Sequence, residues 1–205
     1  MFKIYMVDRS NRFAYEEFLD DYFRIRHDIY VGERGWFDLA RSDGREIDAF
    51  DTRDAIYLLG ICPLRGVVAG SRFLPSLKPH LMNDIFPQLA ENGVPRGEDI
   101  FEWTRIFVVP ALRSPGKPSG AAGIVYCGIV EFCLEREIRQ LSVVCEPYWL
   151  ERLEVLGWKP LQLGKSLLHK DGEIIGLLLH MSDEALSITR NAYGITQSVL
   201  SSSRP

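Results

Sequence analysis

The chain has 205 residues, a net charge of −4 at pH 7, 46% hydrophobic residues and 25% charged ones. Those are ordinary proportions for one globular domain of roughly 100–200 residues, and they exclude collagen-like, coiled-coil and wholly disordered chains. The acidic balance argues against a dedicated nucleic-acid binder, which is usually basic. The opening, MFKIYMVDRSNRF, has no apolar core ahead of a small-residue cleavage site, and no stretch approaches the roughly 20 apolar residues of a membrane span. We therefore expect a single cytoplasmic domain over 1–205, frayed from about 195, with neither nucleic-acid nor membrane partners. Cys62, Cys127, Cys133 and Cys145 form no CxxC pair and read as reduced core thiols.

Residues 11–32 repeat apolar side chains at spacings of three, four and seven, from Phe13 through Tyr22 and Ile29, which predicts one or two amphipathic helices. Gly32 and Gly35 end that pattern. Residues 37–54 are almost all polar, with an SDG turn at 42–44. A loop of that length is more often functional than connective. Residues 55–62 and 66–73, joined by Pro-Leu-Arg-Gly, predict a hairpin. Four prolines between 74 and 95 keep any helix there short. Residues 106–109 predict a strand. The loop 113–120, RSPGKPSG, opens into a helix over 121–139. A strand at 141–145, a helix at 148–156, a strand at 174–180 and a helix at 183–193, capped by Ser182 or Asp183, complete the pattern. Hairpin strands mixed with crossover helices predict an α/β fold, a three-layer α/β/α sandwich around a mixed sheet.

Four groups of residues have the makings of chemistry. Arg26 and Tyr30 lie four apart and share a helix face, and Trp36 follows a glycine in a loop, where its ring can hold a cation. Core aromatics with a solvated arginine fit the same spacing. Glu46, Asp48 and Asp51 crowd three carboxylates that call for a cation, a metal or arginines, unless the loop is merely solvated. The twelve-residue calcium-loop spacing is absent, and we expect no metal. Arg72, inside the apolar strand GSRFLP, needs a carboxylate if buried. Glu102 and Arg105 stand among Phe101, Trp103 and Ile106. A carboxylate in apolar surroundings has its pKa raised and can act as a base, though an internal salt bridge also fits. His27, His80, His169 and His180 show no ligand pattern. Together these groups suggest a polar pocket for a zwitterionic or cationic small molecule. The loop 113–120 matches neither a P-loop nor a dinucleotide fingerprint. It is either a plain surface loop or a phosphate cradle facing a helix N-terminus.

The ordered array resembles the acyl-homoserine lactone synthases, the autoinducer synthases of bacterial quorum sensing. The matching elements are Arg26, Tyr30 and Gly35-Trp36; Glu46, Asp48 and Phe50-Asp51; Gly70, Arg72 and Leu74-Pro75; and Glu102, Thr104 and Arg105. Order and gaps agree over residues 20–110; beyond 120 the match is looser, with a Gly-Trp ending at Trp158. Phe is usual in the family where Tyr30 stands.

The resemblance implies a fold similar to the N-acetyltransferases, with a sheet splayed by the acyl-donor groove. It also implies acyl transfer to the amine of S-adenosylmethionine, lactone closure and release of methylthioadenosine. On that basis Glu102 is the candidate base, oriented with Asp48 and Asp51 by Arg72 and Arg105. Arg26 would face the substrate carboxylate; Trp36 and Asp48 would face the sulfonium. Several stretches, among them RIRHDIYVGERGW and FEWTRIFVV, look more like a subgroup that takes branched or aryl acyl groups from coenzyme A, which makes acyl carrier protein the less expected donor. Val143 stands where some 3-oxo-specific members carry Thr, so 3-oxo recognition is not expected. Trp149 and Tyr148 offer flat surface to a compact acyl group, or pack helix on sheet. Arg113 and Lys117, with backbone N–H groups around Ser119 and Gly120, are the candidate holders of the coenzyme A phosphates. No cofactor beyond the two substrates is implied. An N-acyltransferase for another amine is one rival reading. A non-catalytic sensor, with Glu102 buried and paired away from any cleft, is the other.

Overall fold

The computed structural model describes residues 2–114, 116 and 119–201. The expected hairpin is present: β2 (Ile56–Cys62) and β3 (Gly66–Pro75) pair antiparallel. Gly66 turns the chain at φ 67°, a conformation that costs glycine little because it has no Cβ. β1 (Lys3–Val7) pairs with β2, and β4 (Ile100–Val108) with β3. β5 (Gln140–Cys145) runs parallel to β4, and β8 (Gly172–His180) antiparallel to β5. Two short strands, β6 (Leu161–Gln162) and β7 (Leu167–His169), both pair with β8, and β9 (Leu200–Ser201) lies along β1 at the far edge. The result is a nine-stranded mixed sheet, as the fold class required.

Strand alternation sorts the apolar side chains into two cores. On one face Leu58, Phe73, Trp103, Leu141 and Leu177 meet Ile129 and Phe132 of α3 (Gly120–Glu135). The same core takes in Leu153 of α4 (Tyr148–Val155) and Ala185 of α5 (Asp183–Tyr193). On the other face Leu59, Leu74 and Phe107 meet Leu19, Tyr22 and Phe23 of α1 (Glu16–Arg26). Gly70 lets α1 approach β3: a Cβ there would lie 2.5 Å from Tyr22 Cε2. A single-turn helix, α2 (Leu81–Asp84), follows β3.

Several segments depart from the sequence expectation. The strands β1, β6 and β7 were not foreseen, and the helix expected over 121–139 ends at Glu135. The strand expected at 106–109 begins at Ile100, so Glu102 and Arg105 are strand residues. The chain after α1 widens into a π-helical segment, His27–Glu33. The tail expected to fray from about 195 is instead docked up to Ser201. The buried Glu131 carboxylate of α3 accepts hydrogen bonds from Ser198 Oγ at 2.8 Å, Val199 N at 3.0 Å and Leu200 N at 2.9 Å. Residues 202–205 lie outside the described residues.

Two irregularities of β4 shape the middle of the sheet. Arg72 pairs with Thr104 and Gly70 with Phe107, so Arg105 and Ile106 together face Ser71 in a β-bulge. Arg105 there takes φ 54°, a left-handed conformation uncommon outside glycine. On its other side β4 pairs with β5 only over three positions, ending at Glu102 and Ser142. Beyond that pair the two strands are no longer laddered, and a wedge opens between them.

Candidate active site

The loop 37–54 brings its carboxylates onto the three arginines that the strands and α1 present. Arg26, at the end of α1, donates to both Asp51 oxygens at 2.8 and 3.0 Å and pairs with Glu46. Arg72 donates to both Asp48 oxygens at 2.6 and 2.9 Å and lies 2.9 Å from Asp51. The bulge aims Arg105 at Glu46, at 3.0 and 3.1 Å, and at Asp48, at 2.8 Å. The carboxylate oxygens lie near enough to one another to share a cation. Three guanidiniums supply that charge. Arg26, Arg72 and Glu46 are fully buried, so the network stands or falls as a unit: a buried charge left unpaired is very costly. Burial works against ionisation of Asp51, but Arg72 and Arg26 outweigh it and hold the carboxyl below the usual range.

Glu102 sits at the apex of the wedge. Its two oxygens accept hydrogen bonds from the first N–H groups of α2, Leu81 N at 2.8 Å and Met82 N at 2.6 Å. Burial pushes its pKa up to about 7 against the pull of those N–H groups, Arg72 and Arg105. Desolvation therefore wins, and a carboxyl poised near neutrality is what a general base requires.

A cavity of about 330 Å³ fills the wedge. Tyr30, Trp36, Arg34 and Arg105 line its sheet-face side, and Val143, Cys145, Trp149 and Leu153 its apolar depth. Tyr30 and Trp36 stack with centroids 5.2 Å apart and planes at 21°. The Arg34 and Arg105 guanidiniums lie over both rings at 5.4–6.0 Å. Tyr30 Oη donates to Ile106 O at 2.8 Å, so the hydroxyl that replaces the family's usual Phe holds the bulge. Trp149 stands edge-on to Trp103 at 5.8 Å. The Cys145 thiol, pushed up to about 12 by burial, is a wall atom and no nucleophile at neutral pH.

The structure thus brings Tyr30, Trp36, Arg105, Val143 and Trp149 to one cavity. Arg26 and Asp51, expected in contact with substrate, are buried behind its wall and already paired. Asp48 and Arg72 support Arg105 in the same way. Glu102 is buried and paired, yet Leu81, Trp103 and Thr104 beside it line the cavity. That cleft removes the condition on which the sensor reading depended. Ser119 caps α3, its Oγ accepting from Ala122 N at 3.2 Å, and Gly120 opens the helix. Arg113, expected free for phosphate, donates to Glu33 at 2.6 Å. Lys117 lies outside the described residues. Sequence reasoning missed Arg34, Asp38 and Lys170. Arg34 pairs with Glu146 at 2.8 Å and Lys170 with Asp38, each bridging the wedge mouth. Nothing in their local sequence separates them from ordinary surface charges.

A family model described as "Autoinducer synthase" matches residues 10–188. Isovaleryl-homoserine lactone synthase of Bradyrhizobium diazoefficiens is 36% identical over 194 residues, 94% of this chain and 86% of that protein. The solved structure of a CoA-dependent acyl-homoserine lactone synthase, MesI, superposes with a TM-score of 0.89 at 46% identity, over 98% of this chain and 100% of that one. A second, BjaI with SAM and isopentyl-CoA, gives 0.92 at 33% identity, over 100% and 95%. An acyl-CoA N-acyltransferase from Pseudomonas aeruginosa, 14% identical with a TM-score of 0.59, shares the fold.

Proposed function

The chain belongs to the autoinducer synthase family and is an acyl-homoserine lactone synthase, and on that premise we propose that it acylates S-adenosylmethionine with a short branched or aryl acyl group from coenzyme A. The product is the N-acyl-homoserine lactone, with methylthioadenosine released. The observation that carries this reading is the cavity in the wedge, charged and aromatic on one side and apolar on the other. A zwitterionic sulfonium fits the first side. The stacked Tyr30 and Trp36 rings face its cation, and the Arg34 and Arg105 guanidiniums face its carboxylate. A compact acyl group fits the second, against Val143, Trp149 and Leu153.

Glu102 takes the proton from the substrate ammonium, through water because its side chain lies behind the cavity wall. The neutral amine then attacks the thioester carbonyl, and the thiol of coenzyme A departs. Arg72 and Arg105 hold the acidic loop against β4, so that Tyr30 and Trp36 stay at the cavity. The N-terminus of α3, with Ser119 and Gly120, receives the pyrophosphate, and Arg113 joins it by exchanging Glu33 for phosphate. Relatives named as CoA-dependent, or as an isovaleryl-homoserine lactone synthase, support this donor over acyl carrier protein. No helix among the described residues is long and apolar enough to cross a membrane. Four free cysteines, three of them buried, fit a cytoplasmic enzyme.

The test is a panel assay. Purified protein and S-adenosylmethionine are offered acyl-CoA and acyl carrier protein donors, with lactones identified by mass and methylthioadenosine quantified. Isovaleryl-CoA or an aryl-CoA should exceed every matched carrier-protein donor. The reverse ranking would overturn the donor assignment alone. Acylation of another amine without methylthioadenosine would overturn the reaction.

A further inference from the structure

The last rung of the β4–β5 ladder pairs Glu102 with Ser142. Side chains of register partners on adjacent strands share a face, so both stand on the face opposite Val143 and Trp103. Ser142 is fully buried, yet its Oγ has no hydrogen-bond partner among the described residues. Buried hydroxyls are almost always satisfied, because an unmade bond costs about 1–3 kcal/mol. Alanine would fill this position at no such cost. A hydroxyl kept there, one strand away from a buried carboxylate, points to a partner that arrives with the reaction.

We propose that Ser142 is a positioning residue for proton removal, its Oγ holding, with Glu102, the water through which the substrate ammonium loses its proton. The proposal rests on the reading of Glu102 as the base. Neither side chain lines the cavity, but Thr104 of β4 and Val143 and Val144 of β5 do. One small molecule at the apex therefore bridges the distance. The Glu102 oxygens each use one acceptor direction on an α2 N–H and keep another free. The water thus has three partners, Glu102, Ser142 Oγ and the ammonium, as buried waters typically do. The ammonium passes a proton to the water oxygen as the water passes one to Glu102. The water is regenerated, Glu102 gains one proton, and the Ser142 hydroxyl keeps its own.

The experiment compares Ser142→Ala, Ser142→Thr and Glu102→Gln with the parent enzyme. Ser142→Ala should lower kcat about tenfold, the equivalent of one hydrogen bond. It should leave the KM for the thioester within twofold and the melting temperature unchanged or higher. Ser142→Thr, which retains the hydroxyl, should recover most of the lost kcat. Unchanged kcat in Ser142→Ala would overturn the proposal, as would equal losses in the alanine and threonine variants or a fall in melting temperature that tracks activity. Glu102→Gln separates the two readings. If it too turns over normally, the base assignment fails; if it alone is inactive, only the role of Ser142 fails.

Discussion

At Glu102 two opposing effects act on one carboxylate. Two backbone N–H groups and two nearby guanidiniums favour the ion, and burial disfavours it. Burial prevails, leaving the group at about 7. A base works only in its ionised form, so kcat/KM should rise with pH up to about 7 and level off above it. A profile flat from pH 5 to 9 would remove Glu102 from the rate-determining proton transfer. Glu102→Gln keeps the shape and loses the base. Acylation should fall roughly 10²–10⁴-fold while S-adenosylmethionine still binds, as calorimetry would show. Tyr30 makes a separate case. Its hydroxyl touches Ile106 O and no reacting group. Tyr30→Phe should therefore cost about 0.5–1.5 kcal/mol in urea unfolding and change kcat less than threefold.

The acidic loop shows how an element differs from the sum of its residues. As sequence it reads as three crowded carboxylates in want of a cation, a metal or arginines, or as a merely solvated loop; in the structure it is already closed over Arg26, Arg72 and Arg105. Asp48 anchors both Arg72 and Arg105. Asp51 is buried deeper, with Arg26 and Arg72 both upon it. Asp51→Asn should destabilise by about 3–5 kcal/mol, because it leaves buried guanidiniums uncompensated, and by more than Asp48→Asn. The folded-state pKa of Asp51 lies below its ordinary value of 3.8. Its stabilisation is thus present above pH 3.8 and is lost as the pH falls further. Chemical denaturation of Asp51→Asn beside the parent checks both points. The elements that sequence made legible were those whose pattern is local: the β2–β3 hairpin with its turn, the body of α3, and α5 with Ser182 as cap. β4 was half legible. Its bulge interrupts alternation where Glu102 and Arg105 enter the site, so periodicity reported only its end. β9 has two residues, and its place is set by Glu131, 69 residues away from Leu200. No local pattern contains that. Site residue types were legible, but which of them touch the cavity was not, because pairing in space decides it.

The whole molecule is two half-sheets joined at a three-position ladder. β3 and β4 carry Arg72 and Arg105, with Arg26 and the stacked rings on the segments packed against that half; β5 and α4 supply the apolar depth on the other. On the proposed reading the chemistry lies at the junction between them, where the amine from one side meets the thioester from the other. Arg34–Glu146 and Lys170–Asp38 tie the halves at the mouth, but both pairs are substantially exposed, and exposed ion pairs contribute little. The size of the wedge rests instead on packing, and at about 330 Å³ it lies at the small end of ligand cavities. Trp149 and Trp103 are the largest side chains on its apolar side, and Trp149 belongs to α4. It is fixed edge-on to Trp103 and 6.4 Å from Tyr126, with the Arg152 guanidinium 5.1 Å above its ring. In the proposed acyl site, a ring so held limits the length of the chain. Trp149→Ala should open that limit. The kcat/KM for isovaleryl-CoA should fall about tenfold as packing against the branched chain is lost, and that for octanoyl-CoA should rise. Even one methylene more or less in an apolar pocket shifts such ratios by roughly 10–200-fold, so the preference between the two donors should move by at least about tenfold in a competition assay read by lactone mass. If the ratio stays constant while the melting temperature drops, Trp149 serves helix–sheet packing alone, and the limit on chain length must lie with Val143 and Leu153.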